Sequence, residues 1–379
     1  MQNLITRRAA LKAAALVPFV PQEARVDLPD DLPPGVRAIV DTTLRRDPAT
    51  LNTDWFGTVL MQGLLEWHRR GVKDVRAFST AWLDHHLKSP GVSRYSGAKS
   101  REVTAGGIHV TTYAGHFGLA FPCYEMAVQF GERRARRACV ETAKLILHQV
   151  ARNRLGLVEH DDSGEFAIPD TCYFAVRALM SGSALDPGYQ QVLREQAVFQ
   201  LRTYVDTFLV PEKRLAKTVL FGEGLGKTYW TRASGWLLWA ITSVLRLLPP
   251  SDPAFTRFLE DLKTLVSGLA AVQDPSGGFR VLLDDPQTPL ETTGTAMFAS
   301  GVHEAVRRKW LPDSYLQPAN RAWDFVKSNL DSEGRIRNAY TGWALPAENR
   351  VMSMDEHDMG WIPGFILIVA NEMTLGARV

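Results

Sequence analysis

Apolar residues recur along this chain with the 3.6-residue period of the α-helix, in about twelve separate segments. Phe56, Val59, Leu60, Leu64 and Trp67 form one stripe, and Cys172, Tyr173, Val176, Leu179 and Met180 form another. The pattern predicts helices over roughly 34–45, 54–70, 73–88, 114–130, 132–152, 170–182, 187–208, 231–247, 252–272, 292–307, 313–329 and 358–374, with clear strand alternation scarce. Breakers separate them: Asp186-Pro187, Pro249-Pro250, Asp274-Pro275 with Gly277-Gly278, and Asp331 to Gly334. Long connections (89–113, 153–169, 209–230, 273–291, 330–357) alternate with sharp turns near 131, 185, 250 and 310. Helices linked short-long-short-long predict an all-α fold of six helical hairpins closed into a ring, a six-hairpin α/α toroid. The long loops would then gather at one end and build a cleft. No fixed-period repeat is visible, which argues against an open solenoid.

The N-terminus is different in kind. Thr6-Arg7-Arg8-Ala9-Ala10-Leu11-Lys12 places twin arginines before a short apolar run, Ala13 to Val20. That run is too short to span a bilayer and resembles a twin-arginine export signal, so residues 1–25 read as an export signal and 26–379 as one domain. A periplasmic or secreted address follows, with no membrane association beyond export. A net charge of +2 gives no field for nucleic acid. Three well-separated cysteines, Cys123, Cys139 and Cys172, exclude a disulfide framework and a cysteine zinc site, and read as buried thiols. Ten tryptophans are many for such a chain, and suit a sugar cleft as well as a core.

Four stretches carry candidate chemistry. Glu291-Thr292-Thr293-Gly294-Thr295-Ala296-Met297-Phe298 follows an acidic, proline-bracketed loop and opens a helix. Taken alone it is a capped helix start with a narrow first turn. Asp170, in Ile168-Pro169-Asp170-Thr171-Cys172-Tyr173-Phe174, reads locally as an N-cap. Arg232 stands between Trp230 and Trp236, where a guanidinium grips a carboxylate and a tryptophan face stacks on a sugar; the plain alternative is an arginine packed on core aromatics. His160 lies on the loop His160-Asp161-Asp162-Ser163-Gly164, and Asp161, Asp162 and Glu165 offer oxygen ligands, though a solvated turn reads better than a metal site. His109 and His116 flank the helix that begins near Tyr113. Gly222 to Thr228 contains Gly-Lys-Thr without the spacing of a phosphate-binding loop, no His-Glu-x-x-His or Gly-x-Ser-x-Gly occurs, and no cofactor or metal signature is present.

The order and spacing of these segments resemble the unsaturated glycuronyl hydrolases of glycoside hydrolase families 88 and 105, the latter including the unsaturated rhamnogalacturonyl hydrolases. Trp55 to Trp67, Ile168 to Phe174, Tyr229-Trp230-Thr231-Arg232-Ala233-Ser234-Gly235-Trp236, and Gly277-Gly278-Phe279 through Glu291–Phe298 to Asp331–Arg335 carry the resemblance. It implies an (α/α)6 barrel, and removal of a terminal 4,5-unsaturated uronic acid from a lyase-generated oligosaccharide. Hydration of the vinyl ether replaces attack at the anomeric carbon by paired carboxylates. Asp170 matches the family's catalytic aspartate. Acting as an acid requires it to hold a proton, and apolar neighbours Ile168, Tyr173 and Phe174 would favour that. Arg232, Trp230, Trp236, His160 and His116 are the matching substrate-binding candidates. Two departures stand out: a second acid is absent at Tyr113-Ala114-Gly115-His116, where His116 is the candidate substitute, and Val219-Leu220-Phe221 lacks a histidine. A sugar epimerase or isomerase on a similar barrel, marked by paired cleft histidines, and a non-catalytic carbohydrate-binding barrel are the rival readings. Arg94, Tyr95, Trp343 and Arg350 in the longest loops are candidates for recognising the next sugar.

Overall fold

Helices α1 (Pro34–Leu44), α2 (Trp55–His68), α3 (Val75–Lys88), α4 (Ala120–Phe130), α5 (Arg133–His148) and α6 (Pro169–Leu185) make up the first half of the chain. Helices α7 (Gln190–Phe208), α8 (Thr231–Leu247), α9 (Pro253–Val272), α10 (Thr292–Arg307), α11 (Leu316–Ser328) and α12 (Trp361–Gly376) make up the second. The computed structural model describes residue 28 and residues 32–71, 75–92, 99–163, 166–222, 224–340 and 360–376. The export-type segment 1–25 and Glu165, Arg94, Tyr95, Trp343 and Arg350 lie outside the described residues.

Each helix falls where the apolar period puts it. The starts are set by side chains that take up orphan amide groups: Asp54 accepts from Phe56 N–H at 2.9 Å, Glu132 from Arg134 N–H at 3.0 Å, and Asp252 from Ala254 N–H at 3.0 Å. Pro169 and Pro253 open α6 and α9, where a missing N–H costs nothing.

Two kinds of helix result. In α5 the buried positions Ala135, Ala138, Cys139, Thr142, Ala143, Leu145 and Ile146 form one stripe, and the basic residues face out. In α8 and α10 every residue from Thr231 to Leu245 and from Thr292 to Val306 is buried. Helices α2, α4, α6, α8, α10 and α12 pack on one another in that order and close into an inner ring, with α1, α3, α5, α7, α9 and α11 outside. This is an (α/α)6 barrel. Five hairpins run inner-to-outer along the chain; the sixth pairs α12 with α1, from opposite ends of the sequence. At the closing seam α2 and α12 touch backbone to backbone. A Cβ on Gly364 would meet Leu60 N at 2.7 Å, and one on Gly63 would meet Leu367 Cβ at 2.8 Å. Trp67 Nε1–H donates to Leu367 O at 3.0 Å across the same seam.

All six inner helices start at the end that carries the long loops. Among the described residues, that end also holds nine short strands that the sequence pattern does not predict. They are β1 (Glu102–Ala105), β2 (Ile108–Thr111), β3 (Phe166–Ala167), β4 (Leu209–Val210), β5 (Leu215–Ala216), β6 (Leu220–Phe221), β7 (Gly224–Leu225), β8 (Phe279–Arg280) and β9 (Leu290–Glu291), all antiparallel in their pairings. Most are two residues long, too short to show alternation. Residues 114–119, expected to be α-helical, form a 3₁₀ turn instead. Ala114 N–H donates to His160 O at 2.9 Å, which holds the chain against the neighbouring loop and tightens the entry to α4.

At the opposite end every inner helix contributes a charge to a ring of ion pairs. Arg246 grips Glu304 with two bonds of 2.9 and 2.7 Å, Arg307 grips Glu372 with 2.7 and 2.9 Å, Arg308 adds 2.8 Å to Glu304, and Arg177 lies 3.5 Å from Glu66. Arg69 pairs with Glu125. Between the two ends, Tyr173, Trp236, Trp239 and Phe365 fill the bore with interlocked rings. Cys123, Cys139 and Cys172 are buried free thiols, each pushed up from its ordinary pKa by burial.

Candidate active site

Asp170 is not the cap of its helix. Ile168 occupies that position in extended backbone (φ −139°, ψ 153°), Pro169 follows, and Asp170 is the second helical residue. A first-turn carboxylate there faces the positive end of the helix dipole. Its side chain is 21% exposed, and its Oδ1 accepts from Thr171 N–H and lies 3.6 Å from His160 Nδ1. His160 is buried, 3.0 Å from Thr171 Oγ1 through the same nitrogen, and wedged between the Tyr113 ring at 5.0 Å and the Phe166 ring at 5.1 Å. Asp161 turns its carboxylate onto Ser163 N–H at 2.8 Å, and Asp162 is taken up by Arg101 Nε at 2.9 Å and Thr112 Oγ1 at 2.6 Å. That loop therefore locks the β1–β2 hairpin to the start of α6.

His116 lies beyond Tyr113, its ring 6.0 Å away and edge-on. It is buried, with Nδ1 2.9 Å from Thr111 Oγ1, while Nε2 has no hydrogen-bond partner among the described residues. Burial pushes its pKa down to about 3, so the imidazole is neutral near pH 7. It can offer a hydrogen bond but not the negative charge of the carboxylate missing from this segment.

Arg232, one residue into α8, is 4% exposed and held in an aromatic slot. Its guanidinium carbon lies 4.2 Å from the Trp230 ring and 4.9 Å from the Trp361 ring, with Tyr340 at 5.9 Å; one Nη donates to Tyr340 O. Burial lowers its pKa to about 10, opposed by the negative charges of Glu291 and Asp170. Asp170 and Arg232 therefore face one space from adjacent inner helices. Trp230 Nε1 is buried there with no hydrogen-bond partner among the described residues.

Trp236 is set apart. It sits one turn below Arg232, 2% exposed, between Trp55 (6.5 Å), Tyr173 (5.1 Å), Phe174 (5.4 Å) and Phe365 (5.2 Å). A ring enclosed in this way supports the floor of the site; Trp55, partly exposed and 4.8 Å from Trp361, is the indole nearer the opening.

Glu291 was legible only as a helix cap. It is fully buried; Oε2 accepts from Thr293 N–H at 2.7 Å and Thr293 Oγ1 at 2.6 Å, and Oε1 from Gly294 N–H at 2.6 Å. Burial pushes its carboxyl up, while Arg232 and these donors pull the other way. The small residues after it have a steric reason: a Cβ on Gly294 would stand 2.4 Å from Thr231 Cγ2. Thr292 N–H donates to Asn338 O at 2.7 Å and Thr292 Oγ1 to Arg337 O at 2.7 Å, which ties α10 to the segment leading to Tyr340. The run Glu291–Thr295 thus packs against the start of α8 and holds the segment that leads to Tyr340. Trp361 and Tyr340 carry no local signal; ring closure brings them to Arg232 from more than a hundred positions away in sequence.

An acid at an inner-helix start, with a buried arginine held against indoles on the next inner helix, suits an enzyme that acts on carbohydrate. The chain belongs to Glycosyl Hydrolase Family 88, whose description matches residues 40–374. It is 24% identical over 238 residues to the unsaturated rhamnogalacturonyl hydrolase YesR of Bacillus subtilis (strain 168), covering 60% of this chain and 67% of that one. Among solved structures, a possible member of the GH105 family from Salmonella enterica superposes with a TM-score of 0.73 at 19% identity, covering 90% of this chain and 93% of that one. A family 105 glycoside hydrolase from C. acetobutylicum superposes with a TM-score of 0.74 at 14% identity, covering 89% and 99%. The chain is accordingly a glycoside hydrolase, not a sugar epimerase or a non-catalytic binding barrel.

Proposed function

We propose that this hydrolase removes a terminal 4,5-unsaturated uronic acid from oligosaccharides, as the name of its Bacillus subtilis relative suggests, with Asp170 as the acid and then the base. In this reaction Asp170 gives its proton to C4 of the ring double bond. The carboxylate left behind takes a proton from the water that adds at C5, which restores the acid. The resulting hemiketal opens to a C5 ketone, and the hemiacetal freed at C1 releases the rest of the oligosaccharide. One water is consumed, and no second carboxylate is needed at the anomeric carbon, unlike ordinary glycosidases.

The observation that carries this reading is that Asp170 lies within electrostatic reach of a buried guanidinium held against the Trp230 and Trp361 rings. A guanidinium held against aromatic rings keeps its planar fork for hydrogen bonds, the geometry that suits a uronate carboxylate. Trp230 Nε1 and His116 Nε2 supply polar atoms without a protein partner among the described residues, suited to sugar hydroxyls. His160 orients Asp170, and Trp236 acts from below through Trp55 and Phe174. The test follows the absorbance of the unsaturated uronyl group: wild type bleaches it, and Asp170→Asn slows turnover by about 10²–10⁴ with the helical signal intact. A wild-type protein that bleaches no unsaturated oligosaccharide would overturn the reading.

We further propose that residues 1–25 direct export to the periplasm or beyond. Lysines at Arg7 and Arg8 should leave the protein in the cytoplasmic fraction. Unchanged fractionation would sink that proposal.

A further inference from the structure

Two buried imidazoles carry a ring nitrogen with no hydrogen-bond partner among the described residues. His116 belongs to the end of the barrel that carries Asp170. His303 does not: it lies in α10 about 16 Å along the helix from Thr292, at a rise of about 1.5 Å per residue. A buried polar atom left without a partner costs free energy, and such atoms are few in folded proteins.

His303 is 7% exposed and lines a groove of about 520 Å³ on the outer wall of the barrel. Leu316, Asn320, Trp323 and Lys327 of α11 supply one side, spaced i, i+4, i+7 and i+11 so that they share a helix face. Leu32 and Pro33, where the chain enters α1, and Met373 of α12 also line it. The volume falls within the ~300–1,000 Å³ typical of small-molecule sites.

The groove offers a ring face, a donor and an acceptor together. His303 Nε2 lies 3.0 Å from Asn320 Oδ1. That amide oxygen can only accept, so Nε2 carries the ring proton and Nδ1 keeps a lone pair. Burial lowers the pKa of the imidazole and holds it neutral near pH 7. Asn320 is exposed and keeps its Nδ2–H₂ as a donor. Trp323 is half-buried, packed on the core in one part and lining the groove with the other. Lys327 and Asp324 hold each other at 2.7 Å, so the charges that α11 brings to the groove are paired.

We propose that this groove is a second saccharide site, for a neutral pyranose, which holds glycan without cleaving it. The indole takes the C–H face of the sugar, and its hydroxyls, which both donate and accept, meet the Asn320 amide and the His303 ring. The Lys327–Asp324 pair leaves no net charge for a sulfate or a uronate, and it commits to a lysine the one carboxylate that lines the groove among the described residues. The inference draws on membership among glycoside hydrolases and not on the uronyl reaction.

The test titrates the protein with D-glucose, D-galactose and L-rhamnose, saturated sugars without a uronyl group, and reads binding by saturation-transfer NMR. Wild type should bind at least one of them. Trp323→Ala should raise Kd for that sugar about three- to tenfold, the size of one aromatic stacking contact. Asn320→Ala, an exposed change that leaves the aromatic packing in place, should raise it in the same direction, and carries the test if Trp323→Ala fails to fold. Arg232→Lys, altered at the other end of the barrel, should bind the sugar as wild type does, and Trp323→Ala should turn over an unsaturated oligosaccharide at the wild-type rate. No binding by wild type, an unchanged Kd in folded Trp323→Ala or in Asn320→Ala, or binding lost in Arg232→Lys would overturn the groove site. A wild type that binds these sugars yet turns over no unsaturated oligosaccharide supports the groove and removes only the uronyl reading.

Discussion

A buried guanidinium held against the Trp230 and Trp361 rings binds through its planar fork, and this governs what can replace Arg232. Lysine keeps the charge but not the plane, so it loses the stacking on Trp230 and Trp361 and the fork that meets a carboxylate. Arg232→Lys should raise KM for a uronyl substrate about tenfold or more while the protein stays folded; an unaltered KM would show that the slot does not bind the uronate. Glu291 acts on the same slot from behind. Glu291→Gln retains an acceptor for one amide but removes a buried negative charge facing Arg232, and the expected loss is about 2 kcal/mol in chemical denaturation. Stability equal to wild type would mean the carboxyl is already neutral. In the sequence, Asp170 and Arg232 were visible because the segments around them are distinctive. Glu291 was visible only as a cap, since nothing local reveals which charge a buried carboxylate will face. His116 stands beside Tyr113, and its neutrality follows from burial, which spacing does not report.

The helices were readable because each buries either one stripe or its whole circumference, and both patterns persist over several turns. The strands were not, because a two-residue pairing such as Leu290–Glu291 with Phe279–Arg280 is created by tertiary contact between distant segments. The seam between α2 and α12 is likewise invisible locally, yet it determines whether the ring shuts. Gly364→Ala drives a methyl into the Leu60 amide, a backbone atom that cannot rotate away, and should destabilise the protein by about 1–3 kcal/mol. A melting temperature equal to wild type would show that the seam can spread. At the far end of the inner helices, Glu304 is shared by Arg246 and Arg308. Glu304→Gln should cost about 3 kcal/mol, the low end for breaking a buried pair, because both arginines keep part of their side chains in solvent.

For the whole molecule these buried groups set the response to acid. His116 holds a pKa near 3 against an ordinary 6.5, so below pH 6.5 the unfolded chain binds a proton that the folded one refuses, and stability falls as pH drops toward 3. Burial lowers His86 and His303 as well, with the same sign. Glu304 is held at about 2 against 4.5, so its contribution is complete above pH 4.5 and disappears as pH falls toward 2. Thermal melts should therefore decline steadily from pH 6.5 to pH 4, and His116→Gln should flatten the upper part of that decline. A level profile for wild type would contradict the burial of these imidazoles.

The layer of rings around Trp236 has a further consequence. With Tyr173, Trp239 and Phe365 interlocked across the bore and paired charges behind them, the barrel is a blind well rather than a tunnel. A polymer cannot thread through it. Whatever enters must do so end-first and back out by the same mouth, so a long chain is shortened one terminal unit per encounter, and each product competes with the next substrate for a single doorway.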